Sequence, residues 1–403
     1  PAPFQFRDSD FNPATVLETL NCYANDWKLA LEFFNWSETQ SGFVHTAETF
    51  NRMVDTLGKF FEFELAWSLI QRMNESPSSP PNHTTFRVLC KRYVSARLVK
   101  EAIDAFRRLD EYNLRDETSF SILIDSLCEY RHVIDAEDLC FKRNRDTEYD
   151  GVFAGFDVET TKIYNMILRG FFKIQWWGKC RAFWEAMDRK GIQKDLFSYS
   201  IYMDIQCKSG KPCKAMKLFK EMKRKGIKPD AVAYNTVIRA AGEQRGVDDS
   251  LRIYKQMVEA GCSPSLVTFN TILKLLCENG RYGEAREMLS WMRRKGCPPN
   301  VVTYNCFFGS LEKPGEILKL FDEMVGRGIR PRMDTYVMLM SKFGRWGFLR
   351  PVVYVWEKME ELGDSPDEFA YNALIDAFMN KGLVEEARKY DDEMYRKGIS
   401  AKR

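Results

Sequence analysis

The sequence is poor in the residues and patterns from which most catalytic sites are built. Its 403 residues include only three histidines, His45, His83 and His132, and their spacing is not that of metal ligands. The eleven cysteines include no C-x-x-C pair, and neither a P-loop string nor a G-x-G-x-x-G motif occurs. We therefore expect no enzyme, no metal site, no cofactor and no small-molecule substrate.

Long apolar runs are also absent. Stretches such as Val352 to Trp356 fall far short of the roughly 20 residues that span a bilayer, so no membrane association is expected. A large excess of charge is missing too, because 60 Lys and Arg stand against 57 Asp and Glu, a net charge of +3. Any nucleic-acid site must then depend on how the charges are arranged rather than on their sum.

An internal repeat dominates the sequence instead. A methionine recurs every 35 residues in the middle of the chain and at steps of 32 or 35 residues later on, and a glycine follows each methionine four residues later. The methionines are Met187, Met222, Met257, Met292, Met324, Met359 and Met394. Such a period is typical of stacked supersecondary units, each of which buries its apolar face only against its neighbours.

An aromatic residue followed by a small polar residue keeps the same period, as in Tyr164-Asn165 and Tyr234-Asn235. Counting three residues back from each aromatic divides the chain, after an N-terminal extension at 1–11, into eleven units. These are 12–46, 47–82, 83–116, 117–160, 161–195, 196–230, 231–265, 266–300, 301–332, 333–367 and 368–402. Unit 301–332 is three residues short, and unit 117–160 carries an insertion between Arg143 and Thr160, predicted as a loop, either passive or in contact with a partner.

Each unit is predicted to be a helical hairpin. In unit 266–300, Thr268 is expected to cap a first helix with apolar residues at helical spacing, and Gly280 to end it. A second helix is expected from Tyr282 to Gly296. The methionines and aromatics are interpreted as core, so the fold prediction is an all-α solenoid of about eleven hairpins.

These features resemble the pentatricopeptide repeat family, P class, over residues 12–402. The resemblance rests on the 35-residue period, the aromatic-Asn pair, the run of Ala215, Phe219 and Met222, and the ending from Gly226 to Asp230. The tetratricopeptide pattern fits worse, because the units lack its Trp-x2-Leu-Gly string. The resemblance implies a right-handed superhelical solenoid in which each unit faces one nucleotide.

In this family the fifth and the last residue of a unit read the base. Carried onto this chain, the resemblance implies a uracil reader in Asn165 with Asp195 and a preference for guanine in Ser200 with Asp230. The cytosine readers are Asn51 with Asn82, Asn235 with Ser265, and Asn270 with Asn300. The alternative for each Asn or Ser is a local hydrogen bond to the backbone.

Other units depart from the family pattern. Val16, Arg87 and Val337 replace the first reading residue, Arg332 and Lys402 the second, and Thr160 follows the insertion. Since Arg favours phosphate, Arg87 and Arg332 are candidate phosphate contacts. The other candidates are two basic clusters, Lys223, Arg224, Lys225 and Arg293, Arg294, Lys295. The alternative for both clusters is that their cations only stabilise the negative ends of second helices.

The resemblance implies a non-catalytic organellar RNA-binding protein, with single-stranded or ribosomal RNA as its partner. The damaged reading pairs favour a built-in ribonucleoprotein component that contacts other subunits, such as a mitochondrial ribosome subunit acting in translation. The alternatives are a sequence-specific factor for transcript stability, splicing or translation, and a protein-interaction scaffold without RNA. The strings around Trp36 and Phe43 resemble plant mitochondrial members, which implies the mitochondrial matrix, with the chloroplast as alternative, after removal of a transit peptide that the sequence does not show.

Overall fold

The computed structural model describes residues 11–141 and 156–399, and within these two ranges it contains 22 α-helices and no strand. Most helices have 13 residues, close to the length that the repeat leaves for each arm of a hairpin. The helices are α1 Pro13–Cys22, α2 Trp27–Glu38, α3 Ala47–Lys59, α4 Phe63–Glu75, α5 His83–Ser95, α6 Val99–Arg108, α7 Glu117–Glu129, α8 Val133–Phe141, α9 Thr161–Lys173, α10 Trp177–Arg189, α11 Leu196–Lys208, α12 Pro212–Arg224, α13 Ala231–Arg245, α14 Val247–Glu259, α15 Leu266–Glu278, α16 Tyr282–Arg294, α17 Val301–Ser310, α18 Pro314–Gly326, α19 Met333–Arg345, α20 Leu349–Glu361, α21 Glu368–Asn380 and α22 Val384–Arg396.

Odd-numbered helices are the first arms of the hairpins and even-numbered helices are the second arms. The chain divides within α11 into an N-terminal half, up to Ile205, and a C-terminal half, from Gln206. Inside each half the first helices of neighbouring hairpins pack side by side, α1 through α9 in the N-terminal half and α13 through α21 in the C-terminal half. Each half is therefore a stack of hairpins with a row of first helices along one side.

The first helices begin at capping residues, and here one prediction is wrong. Ser265, not Thr268, caps α15, since its hydroxyl accepts the backbone N–H of Thr268 while the Thr268 hydroxyl accepts the backbone N–H of Ser265 at 3.0 Å. Thr268 is thus the third helical residue of a capping box. Asn82 and Asn300 cap their helices with the same box, and the Asp230 side chain accepts the backbone N–H of Ala233, so the last residue of a unit is the cap of the next one.

The second helices end in a glycine turn that explains the spacing from methionine to glycine. The N–H of Gly226 donates to the carbonyl of Lys223, and the N–H of Ile227 donates to the carbonyl of Met222, both at 3.1 Å. This arrangement needs a left-handed residue after the helix, and Gly226 has a φ of +77°. Each methionine of the repeat, from Met187 to Met394, is at most 3% exposed, which confirms that the methionines belong to the core.

The first hairpin is offset by one residue from the predicted unit. Asn12 caps α1, so Val16 stands four residues after the cap, as Phe50 stands four residues after the cap Thr46. Val16 is fully buried at the place that an aromatic fills elsewhere. The assignment of Val16 as a first reading residue was therefore wrong, because this unit lacks the aromatic that fixes the register in the others.

Three further sequence assignments fall wholly or partly outside the described residues. They are residues 1–10 of the N-terminal extension, residues 142–155 of the insertion before Thr160, and Lys402. The other departure, the shortened unit 301–332, is described completely. Its missing residues are the last turn of the first helix, since α17 has 10 residues.

Two neighbouring hairpins satisfy the carbonyls that this missing turn leaves open. Tyr282 donates its hydroxyl to the carbonyl of Ser310 at 2.8 Å. The ammonium of Lys342 donates to the carbonyls of Phe308 and Gly309, both at 2.8 Å. Burial lowers the pKa of Lys342, but two carbonyl partners and the negative end of α17 favour its charged form.

We expect Lys342→Met to lower the free energy of unfolding by about 2 kcal/mol, because it leaves two helix-end carbonyls without their charged donor. Urea unfolding followed by circular dichroism measures the change. Lys274→Met is the matched control, since Lys274 is 66% exposed and pairs only loosely with Glu278 at 3.7 Å. Equal midpoints for the two variants would contradict this account of the short helix.

Candidate nucleic-acid interface

The predicted reading residues lie at the N-terminal ends of the first helices. The first member of each pair is the fifth residue of a first helix, and the second member is the cap of the following first helix. Because these helices pack side by side within each half, a pair whose two members lie in the same half bridges two neighbouring hairpins. Sequence spacing alone could not show whether the two side chains touch.

In unit 161–195 they do touch. The amide nitrogen of Asn165 donates to Oδ1 of Asp195 at 3.1 Å, and the amide oxygen of Asn165 accepts the Ser198 hydroxyl at 2.7 Å. Asp195 Oδ1 also accepts the backbone N–H of Ser198 at 2.8 Å. Asn165 is only 4% exposed, so its amide is held in one orientation while Asp195 remains exposed.

The unit 266–300 has a similar arrangement with different residues. The hydroxyl of Thr303 donates to the amide oxygen of Asn270 at 2.8 Å and lies 3.1 Å from the amide oxygen of Asn300. In the next unit the hydroxyl of Thr335 donates to the amide oxygen of Asn305 at 3.2 Å. The pair Asn270 and Asn300 is thus joined through the third residue of the following helix.

The remaining pairs are less tightly connected. The amide oxygens of Asn51 and Asn235 are buried and have no hydrogen-bond partner among the described residues. Their second members, Asn82 and Ser265, are engaged as caps of α5 and α15. For the pair assigned to guanine, Ser200 lies on α11 with a buried hydroxyl, and Asp230 caps α13.

A feature that sequence reasoning missed is a set of exposed apolar side chains at the second position of several first helices. A second-position residue lies one turn from the fifth position on the same helix surface. These residues are 42–69% exposed: Phe197 in the N-terminal half, and Val232, Val267, Val302 and Phe369 in the C-terminal half. Apolar side chains beside hydrogen-bonding ones form a surface on which a base can stack. In the sequence these residues could have been found as apolar residues at helix positions where the periodic pattern predicts polar ones.

The candidate phosphate contacts are mostly exposed. Arg87 occupies the fifth position of α5. Arg332 stands at the cap position of α19, makes no side-chain cap hydrogen bond and lies 3.6 Å from Asp334. The first basic cluster, Lys223 to Lys225, is exposed at the end of α12. In the second, Arg294 and Lys295 lie 5.2 and 4.8 Å from the ring centre of Trp291.

Arg293 differs from the rest of its cluster because it joins two hairpins. Its guanidinium donates to Glu323 at 2.7 Å and to the Tyr304 hydroxyl at 2.9 Å. Burial opposes the charge on Glu323, yet hydrogen bonds from Arg293 and Arg327 hold the pKa of that carboxyl below its usual value. Arg293 therefore stabilises the packing of α16 against its neighbours, and its two neighbours are better placed to meet phosphate.

No helix in the described ranges is long and apolar enough to cross a membrane. Across the same residues, His, Cys, Asp and Glu side chains form no group of three or more that could hold a metal ion.

Three family models match the chain. The pentatricopeptide repeat domain matches residues 183–244, 217–279 and 319–381. The PPR repeat matches residues 162–192, 302–329 and 369–399, and the PPR repeat family model matches residues 264–313. Together these matches cover more than half of the chain and lie on the hairpins from α9 onward.

Two mitochondrial pentatricopeptide repeat-containing proteins of Arabidopsis thaliana match almost the whole chain. One is 67% identical over 395 residues, which are 98% of this chain and 87% of the relative. The other is 30% identical over 402 residues, which are 98% of this chain and 68% of the relative. The expected family and the mitochondrial location are thereby confirmed.

A solved structure shares the fold. The crystal structure of the pentatricopeptide repeat protein PPR10 in complex with an 18-nucleotide RNA element matches 96% of this chain with a TM-score of 0.64 and 21% identity. The chain spans 56% of the length of that protein. At this identity the likeness concerns the fold, and it confirms the predicted helical solenoid.

Proposed function

Because the chain belongs to the pentatricopeptide repeat family, we propose that it is a non-catalytic protein of the mitochondrial matrix that binds single-stranded RNA along its first helices. The observation that carries the proposal is the hydrogen-bonded pair of Asn165 and Asp195, with its counterpart Asn270, Thr303 and Asn300. These groups hold defined donors and acceptors beside exposed apolar side chains. The RNA-bound structure of the same fold supports the choice of ligand.

The arrangement fits single-stranded RNA because an unpaired base offers both its faces and its Watson–Crick edge. The exposed second-position residues, such as Val267 and Val302, provide apolar surface for the faces. The pairs at the fifth and last positions provide donors and acceptors for the edge. We assign the backbone of the same strand to exposed cations such as Lys295, five residues before the cap Asn300, and Arg332, at the cap position of α19.

RNA binding should weaken as salt rises, and this tests the proposal. With two to three net phosphate contacts, the affinity should fall roughly tenfold between 50 and 200 mM salt, because bound counterions are released from a single strand on binding. Fluorescence anisotropy of a labelled RNA pool with the recombinant chain measures this slope. A neutral-backbone oligonucleotide analogue serves as the control and should show almost no slope.

The same experiment addresses the protein-interaction scaffold. A scaffold without RNA would show no saturable binding of the RNA pool at low salt. In that case the hydrogen-bonded pairs would be interhelical contacts only, and the proposed function would be wrong.

A built-in component of a ribonucleoprotein, such as the mitochondrial ribosome, is the second candidate. It is favoured by the net charge of +3 and by positions such as Val337 and Arg332, which do not form a reading pair. Sedimentation of a mitochondrial extract distinguishes the two roles. Comigration with a ribosomal subunit that persists after mild RNase treatment would support the built-in component and would oppose the free transcript binder.

A further inference from the structure

We propose that the hydroxyl residue at the third position of a first helix orients the base-reading asparagine of the preceding hairpin. The inference rests on the proposed RNA binding and concerns residues outside the reading pairs. Three examples carry it: Ser198 for Asn165, Thr303 for Asn270, and Thr335 for Asn305. In each, the hydroxyl donates to the amide oxygen, so the amide NH2 group must lie on the other side.

The capping box explains why the hydroxyl acts as a donor. The Thr303 hydroxyl oxygen accepts the backbone N–H of Asn300 at 3.1 Å, and the Ser198 hydroxyl oxygen accepts the backbone N–H of Asp195 at 3.2 Å. Because the hydroxyl oxygen already accepts this N–H, the hydroxyl makes its second hydrogen bond by donating its proton to an acceptor. The amide oxygen across the helix pair is 2.8 Å away for Asn270 and 2.7 Å away for Asn165.

All three hydroxyl residues are buried, so water cannot replace these hydrogen bonds. Ser198 and Thr303 have no exposed surface, and Thr335 has none either. A rotated amide would bring its NH2 group against the hydroxyl, whose proton would then have to turn to the cap side chain, Oδ1 of Asp195 at 2.8 Å or Oδ1 of Asn300 at 3.1 Å. In unit 161–195 the rotation would also place the amide oxygen of Asn165 against Oδ1 of Asp195, which now accepts the amide nitrogen at 3.1 Å, so the observed orientation is the favoured one.

The sequence shows the same association. Every fifth-position Asn that has a following unit is matched by Ser or Thr at the third position of that unit. In three matches the hydroxyl donates to the amide oxygen: Asn165 with Ser198, Asn270 with Thr303, and Asn305 with Thr335. In the other two, Asn51 with Thr85 and Asn235 with Thr268, the residues share the sequence pattern but the amide oxygen has no hydrogen-bond partner among the described residues. By contrast Ser121, Ser200 and Val337 are followed by Ile163, Ala233 and Ala370, while Arg87 is followed by Ser119. The occurrence of a hydroxyl residue at the third position therefore follows the presence of a fifth-position Asn in the preceding unit more closely than it follows the type of cap residue.

The orientation decides which bases fit. An amide that presents NH2 donates to the O2 acceptor that both pyrimidines carry, whereas a rotated amide would place oxygen against oxygen. The hydroxyl thus helps to select pyrimidine over purine, and the last residue of the unit then separates uracil from cytosine. Thr303 is on this account a positioning residue, because it acts through Asn270 rather than on the RNA.

The test is selection of RNA from a random library by the full chain and its variants, with base frequencies read at each position. Thr303→Val should reduce the pyrimidine preference about fivefold at the position read by unit 266–300 and leave the other positions unchanged. That position is identified by Asn300→Asp, which should move its preference from cytosine to uracil. Thr303→Ser keeps the hydroxyl and should restore the wild-type preference.

Thr268→Val is the matched control. Thr268 has the same capping box and the same complete burial, but the Asn235 amide oxygen has no hydrogen-bond partner in the described structure. This variant should lose the capping-box contribution to stability that Thr303→Val also loses, without changing the base read by unit 231–265. An unchanged preference in Thr303→Val, with a clear wild-type motif, would refute the orienting role alone. A wild type that enriches no motif would refute base reading itself and the orienting role with it.

Discussion

Replacing Asp195 by Asn should change the base preferred by unit 161–195 from uracil to cytosine. Oδ1 of Asp195 is already engaged, since it caps α11 and accepts the amide of Asn165. The amide oxygen of an Asn can take over both tasks, so the variant should fold as the wild type does. Only the second oxygen changes, from an acceptor to a donor.

The expected size follows from the edges of the two bases. Uracil offers a donor at N3, which suits the carboxylate of Asp195, whereas cytosine offers an acceptor there, which suits an amide NH2 group. One mismatched base typically costs 1–3 kcal/mol, so the ratio of the two affinities should change by about tenfold to a hundredfold. Anisotropy with two RNAs that differ only at this nucleotide measures that ratio.

Asp367→Asn supplies the matched control. Asp367 caps α21 and accepts the backbone N–H of Ala370 at 2.9 Å, but its partner in the pair is Val337, which cannot hydrogen-bond a base. This variant makes the same chemical change and should leave all base preferences as they are. Equal ratios for uracil and cytosine before and after Asp195→Asn would contradict the assigned reading role.

Much of the fold could be predicted from the sequence because each residue type of the repeat occurs at one defined place in the hairpin. Met222 and Gly226 mark the end of a second helix, since a buried thioether and a left-handed glycine fill a single turn. Tyr304 and the other first-helix aromatics mark the core side. Where this marker is missing, as at Val16, the register slipped by one residue.

The candidate site was less predictable because its contacts join side chains about thirty residues apart. Thr303 looks like part of a helix cap in the sequence, and only the packing of α17 beside α15 brings its hydroxyl to Asn270. Likewise nothing in the sequence connects Lys342 with the carbonyl of Phe308, because that contact arises from a turn that is missing. Interhelical side-chain contacts of this kind can be predicted only when the relative positions of neighbouring helices in the stack are known.

The last residue of a unit caps a helix, and this restricts which side chains are available there for the proposed base reading. Side chains that cap a helix well are Ser, Thr, Asp and Asn, and these are also the short polar groups that can reach a base edge. Arg332 is not one of these four residue types. It stands at the cap position of α19 and makes no side-chain cap hydrogen bond. In the proposed reading role, the choice of the last residue is therefore restricted by helix stability as well as by base chemistry.

His45 is a buried imidazole that the repeat pattern did not distinguish. It is 3% exposed, and its ring stacks on Phe34 with the centroids 3.7 Å apart. Nε2 donates to the carbonyl of Phe34 at 3.0 Å, and Nδ1 lies 3.1 Å from the Thr49 hydroxyl. Burial lowers the pKa of His45 to about 4, the bond to Phe34 opposes this, and the nearby cation Arg72 adds to the lowering.

The N-terminal half should consequently lose stability between pH 6.5 and 4. In the unfolded chain the pKa of His45 returns to about 6.5, so the unfolded state takes up more protons in this window and is favoured as the pH falls. The loss in the free energy of unfolding should reach roughly 3 kcal/mol near pH 4. Urea midpoints measured at several pH values give this loss.

His45→Gln should flatten this part of the pH profile. His83→Gln, which replaces a half-buried imidazole 2.9 Å from Asp116, should keep it. If both variants keep the full acid loss, titratable groups other than His45 set the pH limit of this half, because only the removal of the responsible group can abolish the difference in proton uptake.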